Sequence, residues 1–210
     1  MADLLEHVRA SQSVLAVFAH PDDETLGAGG TIARLTAMGC EVRVLCISDG
    51  AQARDRVFER VMGFLGTTGS VLTHPTNGVT IDGDLVSDLD HALKAHTPEL
   101  VITHWPGFLQ SQDHAAVHGA VMRAAARARF PSILLQAEPH LPDASFAPDI
   151  FVDISDHLDN KLAAAREYHQ VLPRKYLEVE AIAGRAHWWA RHLANLNATA
   201  AEAFKLAYWR

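Results

Sequence analysis

Cysteine is scarce. Only Cys40 and Cys46 occur in 210 residues, six positions apart, with Cys46 inside an apolar run. That is neither a disulfide framework nor zinc-ribbon spacing. Buried free thiols in a reducing compartment are the simpler reading. Long hydrophobic runs are also missing, so no segment reaches the length needed to span a bilayer. The opening Met-Ala-Asp-Leu-Leu-Glu-His lacks a basic stretch followed by an apolar one. No signal peptide is expected, and the cytoplasm is the expected compartment. Basic charge is short as well: 18 Lys and Arg face 25 Asp and Glu, a net charge of -7. That balance argues against nucleic acid and anionic membranes as partners.

What is present is apolar residues, at 49% of the chain, enough to exclude disorder and to build a substantial core. No internal repeat, low-complexity segment or linker interrupts the sequence, so one domain over 1–210 is expected.

The stretch Val14-Leu15-Ala16-Val17-Phe18-Ala19 runs without interruption into His20-Pro21-Asp22-Asp23-Glu24. An apolar run of this kind predicts a strand buried on both faces. Pro21 biases His20 away from helical dihedrals, so the strand turns there. Imidazole plus adjacent carboxylates at a strand end is a donor set that suits a divalent metal. The plainer reading is the acidic first turn of a helix, where carboxylates meet the positive end of the dipole. The two are compatible, because Thr25–Met38 reads as helical.

Further strands are predicted at 42–47, 70–72, 100–103, 132–137 and 150–154. Helices are predicted at 54–65, 85–95, 114–129, 156–172 and 185–196, with a short last one at 200–207. Strands alternating with helices imply an α/β fold, Rossmann-like, with a mostly parallel sheet covered by helices on both faces. Strand ends then fall at His20, Ser48-Asp49, His104 and His140. In a parallel sheet those ends share one edge, where ligand crevices form.

A second cluster, Ser111-Gln112-Asp113-His114, opens a helix, with Asp113 either its N-cap or in its first turn. His118 shares a helix face with His114, but no Glu follows the first His as in a His-Glu-x-x-His zinc motif. A partly buried helix histidine is the simpler reading of His118. His20, Asp23 and His114 together would form a three-ligand metal set with room for water, the catalytic rather than the structural arrangement of zinc. Asp22 would stand beside it as a general base.

With these segments the sequence resembles the LmbE-like, or PIG-L-type, zinc-dependent N-deacetylases. Ala19-His20-Pro21-Asp22-Asp23-Glu24 is that family's first motif in full, and Gln112-Asp113-His114 resembles the end of its His-x-Asp-His motif. Fainter echoes occur at Gly29-Gly30, Ser48-Asp49-Gly50, Asp82–Leu85, Pro98–His104 and Ala201–Phe204. The resemblance implies hydrolysis of an N-acyl amide on a small substrate, often an amino sugar. By position, His20, Asp23 and His114 would bind Zn2+ or another divalent metal, Asp22 would activate water, and Asp113 would orient a neighbouring group. One departure stands out: Ser111 occupies the place of the second motif's first His, which in the family steadies the oxyanion and protonates the amine. His104 is the first candidate to replace it and His140 the second. A non-catalytic or altered-chemistry sugar- or nucleotide-binding protein is the rival reading, and a metal phosphoesterase a third. Arg54 and Arg56 read as solvated helix residues. Trp188-Trp189 and His192 read as core or subunit interface rather than a sugar-binding wall. Whether the chain forms a homo-oligomer stays open.

Overall fold

Val14, Ala16 and Phe18 of strand β1 (Ser13–Phe18) join one apolar cluster and Leu15 and Val17 join another, so the strand is buried on both faces. The computed structural model describes residues 5, 12–50, 54–107, 111–128, 131–141 and 144–209. After β1 come α1 (Asp23–Ala37), β2 (Glu41–Cys46), α2 (Asp55–Leu65), β3 (Thr68–Val71) and α3 (Gly83–His96). Then follow β4 (Leu100–His104), α4 (Gln112–Arg127), β5 (Ile133–Ala137), β6 (Ile150–Asp153), α5 (Leu158–Val171), α6 (Val179–Ala190) and β7 (Ala201–Trp209).

These strands form one sheet in the order β3-β2-β1-β4-β5-β7-β6. The first five pair in parallel; Val14, for example, lies between Val42 of β2 and Leu100 of β4. β7 runs antiparallel to both of its neighbours. One face carries α1, α2 and α5 through Ile32, Leu35, Val61, Leu65 and Ala164. The other carries α3 and α4 through Leu85, Leu89, Val117 and Val121. The expected Rossmann-like α/β architecture is therefore present. No helix among the described residues is long and apolar enough to cross a membrane.

Two expectations need correcting. A strand, Ala201–Trp209, stands where a helix is expected at 200–207. Its Ala-rich sequence favours a helix locally, but the vacant backbone edges of β5 and β6 take β7 between them, and pairing outweighs propensity. The helix expected at 185–196 begins earlier and ends at Ala190. Gly184 sits inside α6 on a side open to solvent, while the chain turns after Arg191.

Helix α1 crosses the sheet closely because its contact face is glycine. A Cβ at Gly30 would lie 2.6 Å from Ile154 Cδ1, and one at Gly27 would lie 2.9 Å from Ala137 Cβ. This approach brings the first turn of α1 over the strand ends. The strand order reverses between β1 and β4, which opens a crevice at their carboxyl ends.

Candidate metal centre at the switch point

β1 delivers its last residues into that crevice. The Asp23 N–H donates to the His20 carbonyl, 3.2 Å, and Asp23 Oδ2 accepts from the His20 N–H at 2.9 Å. This local turn sets the two side chains side by side, with His20 Nδ1 3.2 Å from Asp23 Oδ2. The crevice's other wall is the start of α4, whose His114 Nε2 lies 3.2 Å from the same Asp23 oxygen. The three side chains are buried, and one nitrogen or oxygen from each lies within 4.8 Å of the others. The group can hold a metal ion. Its donors, two imidazole nitrogens and a carboxylate oxygen, are those zinc prefers.

Asp113, in the first turn of α4, fixes one of these rings. His20 Nε2–H donates to Asp113 Oδ2 at 2.8 Å, which leaves Nδ1 facing Asp23. Asp113 is itself held by the Asn77 and Val79 N–H groups at 2.7 and 3.0 Å. A carboxylate behind a ligating histidine sets both tautomer and ring angle. Burial opposes protonation of His20, but the hydrogen bonds to Asp23 and Asp113 prevail and raise its pKa to about 9. Asp23 is buried too, yet the neighbouring imidazoles of His114 and His20 hold its carboxyl well below the usual range. The centre thus favours a cation.

Asp22 precedes α1 with φ 124°, a backbone conformation side chains rarely adopt. Such strain persists where the surroundings impose it. Here Glu24 Oε2 accepts the Asp22 N–H at 3.0 Å, and Arg54 Nη1 donates to Asp22 Oδ1 at 3.0 Å. Glu24 is fully buried; the Tyr168 hydroxyl of α5 donates to its Oε1 at 2.9 Å. Burial, then the Asp23 charge, pushes the Asp22 carboxyl well above its ordinary value.

The sequence profile of PIG-L, described as GlcNAc-PI de-N-acetylase, matches residues 15–125, which contain every residue of this centre except Tyr168. The chain belongs to the PIG-L family. It is 30% identical over 184 residues to a probable N-acetyl-α-D-glucosaminyl L-malate deacetylase 2 of Bacillus cereus, covering 72% of this chain and 80% of that protein. In fold it resembles GalB, the 4-carboxy-2-hydroxymuconate hydratase of Pseudomonas putida KT2440. The TM-score is 0.85 at 22% identity, over 95% of this chain and 98% of GalB. It also resembles N,N′-diacetylchitobiose deacetylase of Pyrococcus horikoshii, with TM-score 0.80 at 21% identity, over 93% of this chain and 84% of that one. One fold therefore hosts a hydratase and a deacetylase, and the reaction has to be argued from the site.

Against the PIG-L motif pattern, Ser111 has a local role. Its hydroxyl oxygen caps α4 by accepting the His114 N–H at 3.2 Å, so Ser111, not Asp113, is the N-cap. Ser111→Ala is expected to lower stability by about 1 kcal/mol, a fall in Tm of about 2–4 °C in thermal unfolding. An unchanged Tm would show that the cap contributes nothing.

His104, expected to replace the motif histidine as donor or acid, is placed at the centre. Its Nε2 accepts the Ala19 N–H at 2.8 Å, and its ring stacks on His114 with centroids 4.0 Å apart. Burial, aided by the His114 charge, holds its pKa well below 6.5. A neutral ring that accepts at Nε2 carries its proton on Nδ1, so it can donate a hydrogen bond but is a weak proton donor. His140 stands at the crevice mouth instead, half-buried, 6.0 Å from the His114 ring and against Tyr176. His118 stays apart and accepts from Gln136 Nε2 at 2.8 Å. Arg54, read from the sequence as solvated, is only 12% exposed in its side chain and bonds Asp22. Tyr168 carried no signal in the sequence, being an ordinary aromatic residue of an amphipathic helix.

Proposed function

We propose that this chain is a metal-dependent N-deacetylase that removes an acetyl group from a small amide, an N-acetylated amino sugar or its conjugate. The observation that carries the reading is the convergence of His20 Nδ1, Asp23 Oδ2 and His114 Nε2 beside a restrained, buried Asp22. Membership of PIG-L and the amino-sugar deacetylases among its relatives support the substrate class. Zinc, or another divalent cation held by His20, Asp23 and His114, supplies Lewis acidity and lowers the pKa of water to about 7.

The chain's own groups do the rest. Asp113 keeps the His20 proton on Nε2 and so presents Nδ1 as a donor atom. His104 holds the His114 ring by stacking on it. Asp22, aimed by Arg54 and Glu24, takes the proton from the attacking water. The same carboxyl can return that proton to the departing amine. His104 and His140, both kept neutral by burial, are the candidate donors toward the oxyanion through a ring N–H.

A mass-spectrometric screen for acetate release from a panel of N-acetyl sugars tests this reading. Turnover is expected with zinc-loaded protein, with loss on chelation and recovery on adding zinc back. Metal-loaded protein that releases no acetate across the panel would favour altered chemistry in the same crevice. Ser111 in place of the motif histidine is the feature that keeps this second reading in view.

A further inference from the structure

The segment that follows β5 is gripped from α6. Ile182, Ala186 and Ala190 bury one side of that helix. Arg185 and Trp189, four positions apart, share a neighbouring face. Arg185 Nη1 donates to the Pro139 carbonyl at 3.2 Å, and its Nη2 donates to the His140 carbonyl at 2.8 Å. Its Nε lies 3.8 Å from Glu138 Oε1, while Trp189 Nε1 donates to Glu138 Oε2 at 2.9 Å. Three consecutive residues are thus tied to one helix face. The planar guanidinium fork holds two carbonyls in one geometry, which a point-like ammonium does not. Trp189 is packed against Phe151 and His192, so the anchor is itself fixed.

What this grip places is a histidine. His140 lines the opening over the metal centre together with Asp23, His104 and His114. Its ring centroid lies 6.0 Å from that of His114 and 4.6 Å from that of Tyr176. Of the two candidate oxyanion donors, His104 has its Nε2 engaged by the Ala19 N–H and its ring stacked on His114. No hydrogen bond within the described residues takes up the His140 ring. We propose that Arg185 is a positioning residue: through the Pro139 and His140 carbonyls it holds the His140 ring over the centre, where a ring N–H meets the oxyanion formed at the scissile carbonyl. The proposal rests on the deacetylase reading. A donor displaced by about 1 Å loses much of its effect on the transition state and little of ground-state binding.

The test follows acetate release from the best substrate of the N-acetyl sugar panel by zinc-loaded wild type, His140→Ala, Arg185→Met and the double variant. His140→Ala is expected to lower kcat about 10²-fold, the loss of one oxyanion donor. Arg185→Met is expected to lower it about tenfold, with KM changed less than about twofold. Because Arg185 acts through His140, the double variant should be no slower than His140→Ala alone. A merely structural role would multiply the two losses instead. Multiplied losses, or a kcat equal to wild type in either single variant, overturn the proposal. Arg185→Lys keeps a charge beside Glu138 but not the fork. It should lose less kcat in the same direction, and it is read in place of Arg185→Met if that variant fails to fold. A second readout needs no turnover. The His140 ring signal in 1H–13C NMR, assigned by its absence from His140→Ala, should shift or broaden in the Arg185 variant, and an unchanged signal also overturns the proposal. If wild type releases no acetate across the panel, the deacetylase reading fails, and this signal alone decides whether Arg185 sets the His140 ring.

Discussion

Asp22→Asn is expected to retain one metal per chain while turnover falls by about 10²–10⁴-fold, the usual contribution of a positioned general base. Asn has the same shape, and its amide oxygen can still accept from Arg54 Nη1, which Asp22 Oδ1 meets at 3.0 Å. What it lacks is the capacity to take a proton. The candidate ligands His20, Asp23 and His114 are untouched by the change. Elemental analysis of the purified variant gives the metal content, and acetate release gives kcat. Full activity would remove Asp22 from the reaction. Loss of metal together with activity would make it a structural partner of Asp23 instead. Asp22→Ala is a harsher change, since it leaves the mostly buried Arg54 guanidinium without its carboxylate.

Asp22 also shows where sequence reading succeeds and where it stops. A buried strand ending in His-Pro-Asp-Asp-Glu, and an Asp-His opening a helix, are local patterns. With α/β alternation they place His20, Asp23 and His114 at one edge. The partners that aim these groups come from farther along the chain: Arg54 is 32 positions from Asp22, and Tyr168 is 144 from Glu24. No periodicity marks them, because an Arg opening a helix and a Tyr on an apolar face look ordinary. β7 was illegible for a related reason. Ala201–Phe204 has no strand pattern of its own, and its conformation is dictated by the two strands it pairs with. The strand end places His104 at the centre, but a strand-end histidine does not reveal that a backbone N–H occupies its Nε2.

Glu202 sits in that illegible strand, and its removal is expected to be the largest single loss of stability. Glu202 and Lys161 are 4% and 5% exposed, with Lys161 Nζ 2.5 Å from Glu202 Oε1. The two Glu202 oxygens also accept the Gly30 and Thr31 N–H groups, at 2.9 and 2.8 Å. Lys161 Nζ in turn donates to the Leu26 carbonyl at 2.8 Å. The pair thus clasps the middle of α1, whose first turn carries Asp23. Breaking a buried pair strands the remaining charge, at about 3–5 kcal/mol, whereas replacing both partners by apolar groups is often close to neutral. Glu202→Leu is therefore expected to lower Tm by about 6–20 °C, at about 2–4 °C per kcal/mol for a chain of this size. Lys161→Met/Glu202→Leu should recover a large part of that loss, so the two single changes sum to more than the double. Thermal unfolding of the four proteins measures the coupling. Additive losses, or a Glu202→Leu cost below about 1 kcal/mol, would show that the pair does not hold α1. Because that helix also carries a donor to the centre, zinc affinity should fall in Glu202→Leu and return in the double variant. That recovery would tie a contact 172 positions from Gly30 to the geometry of the metal site.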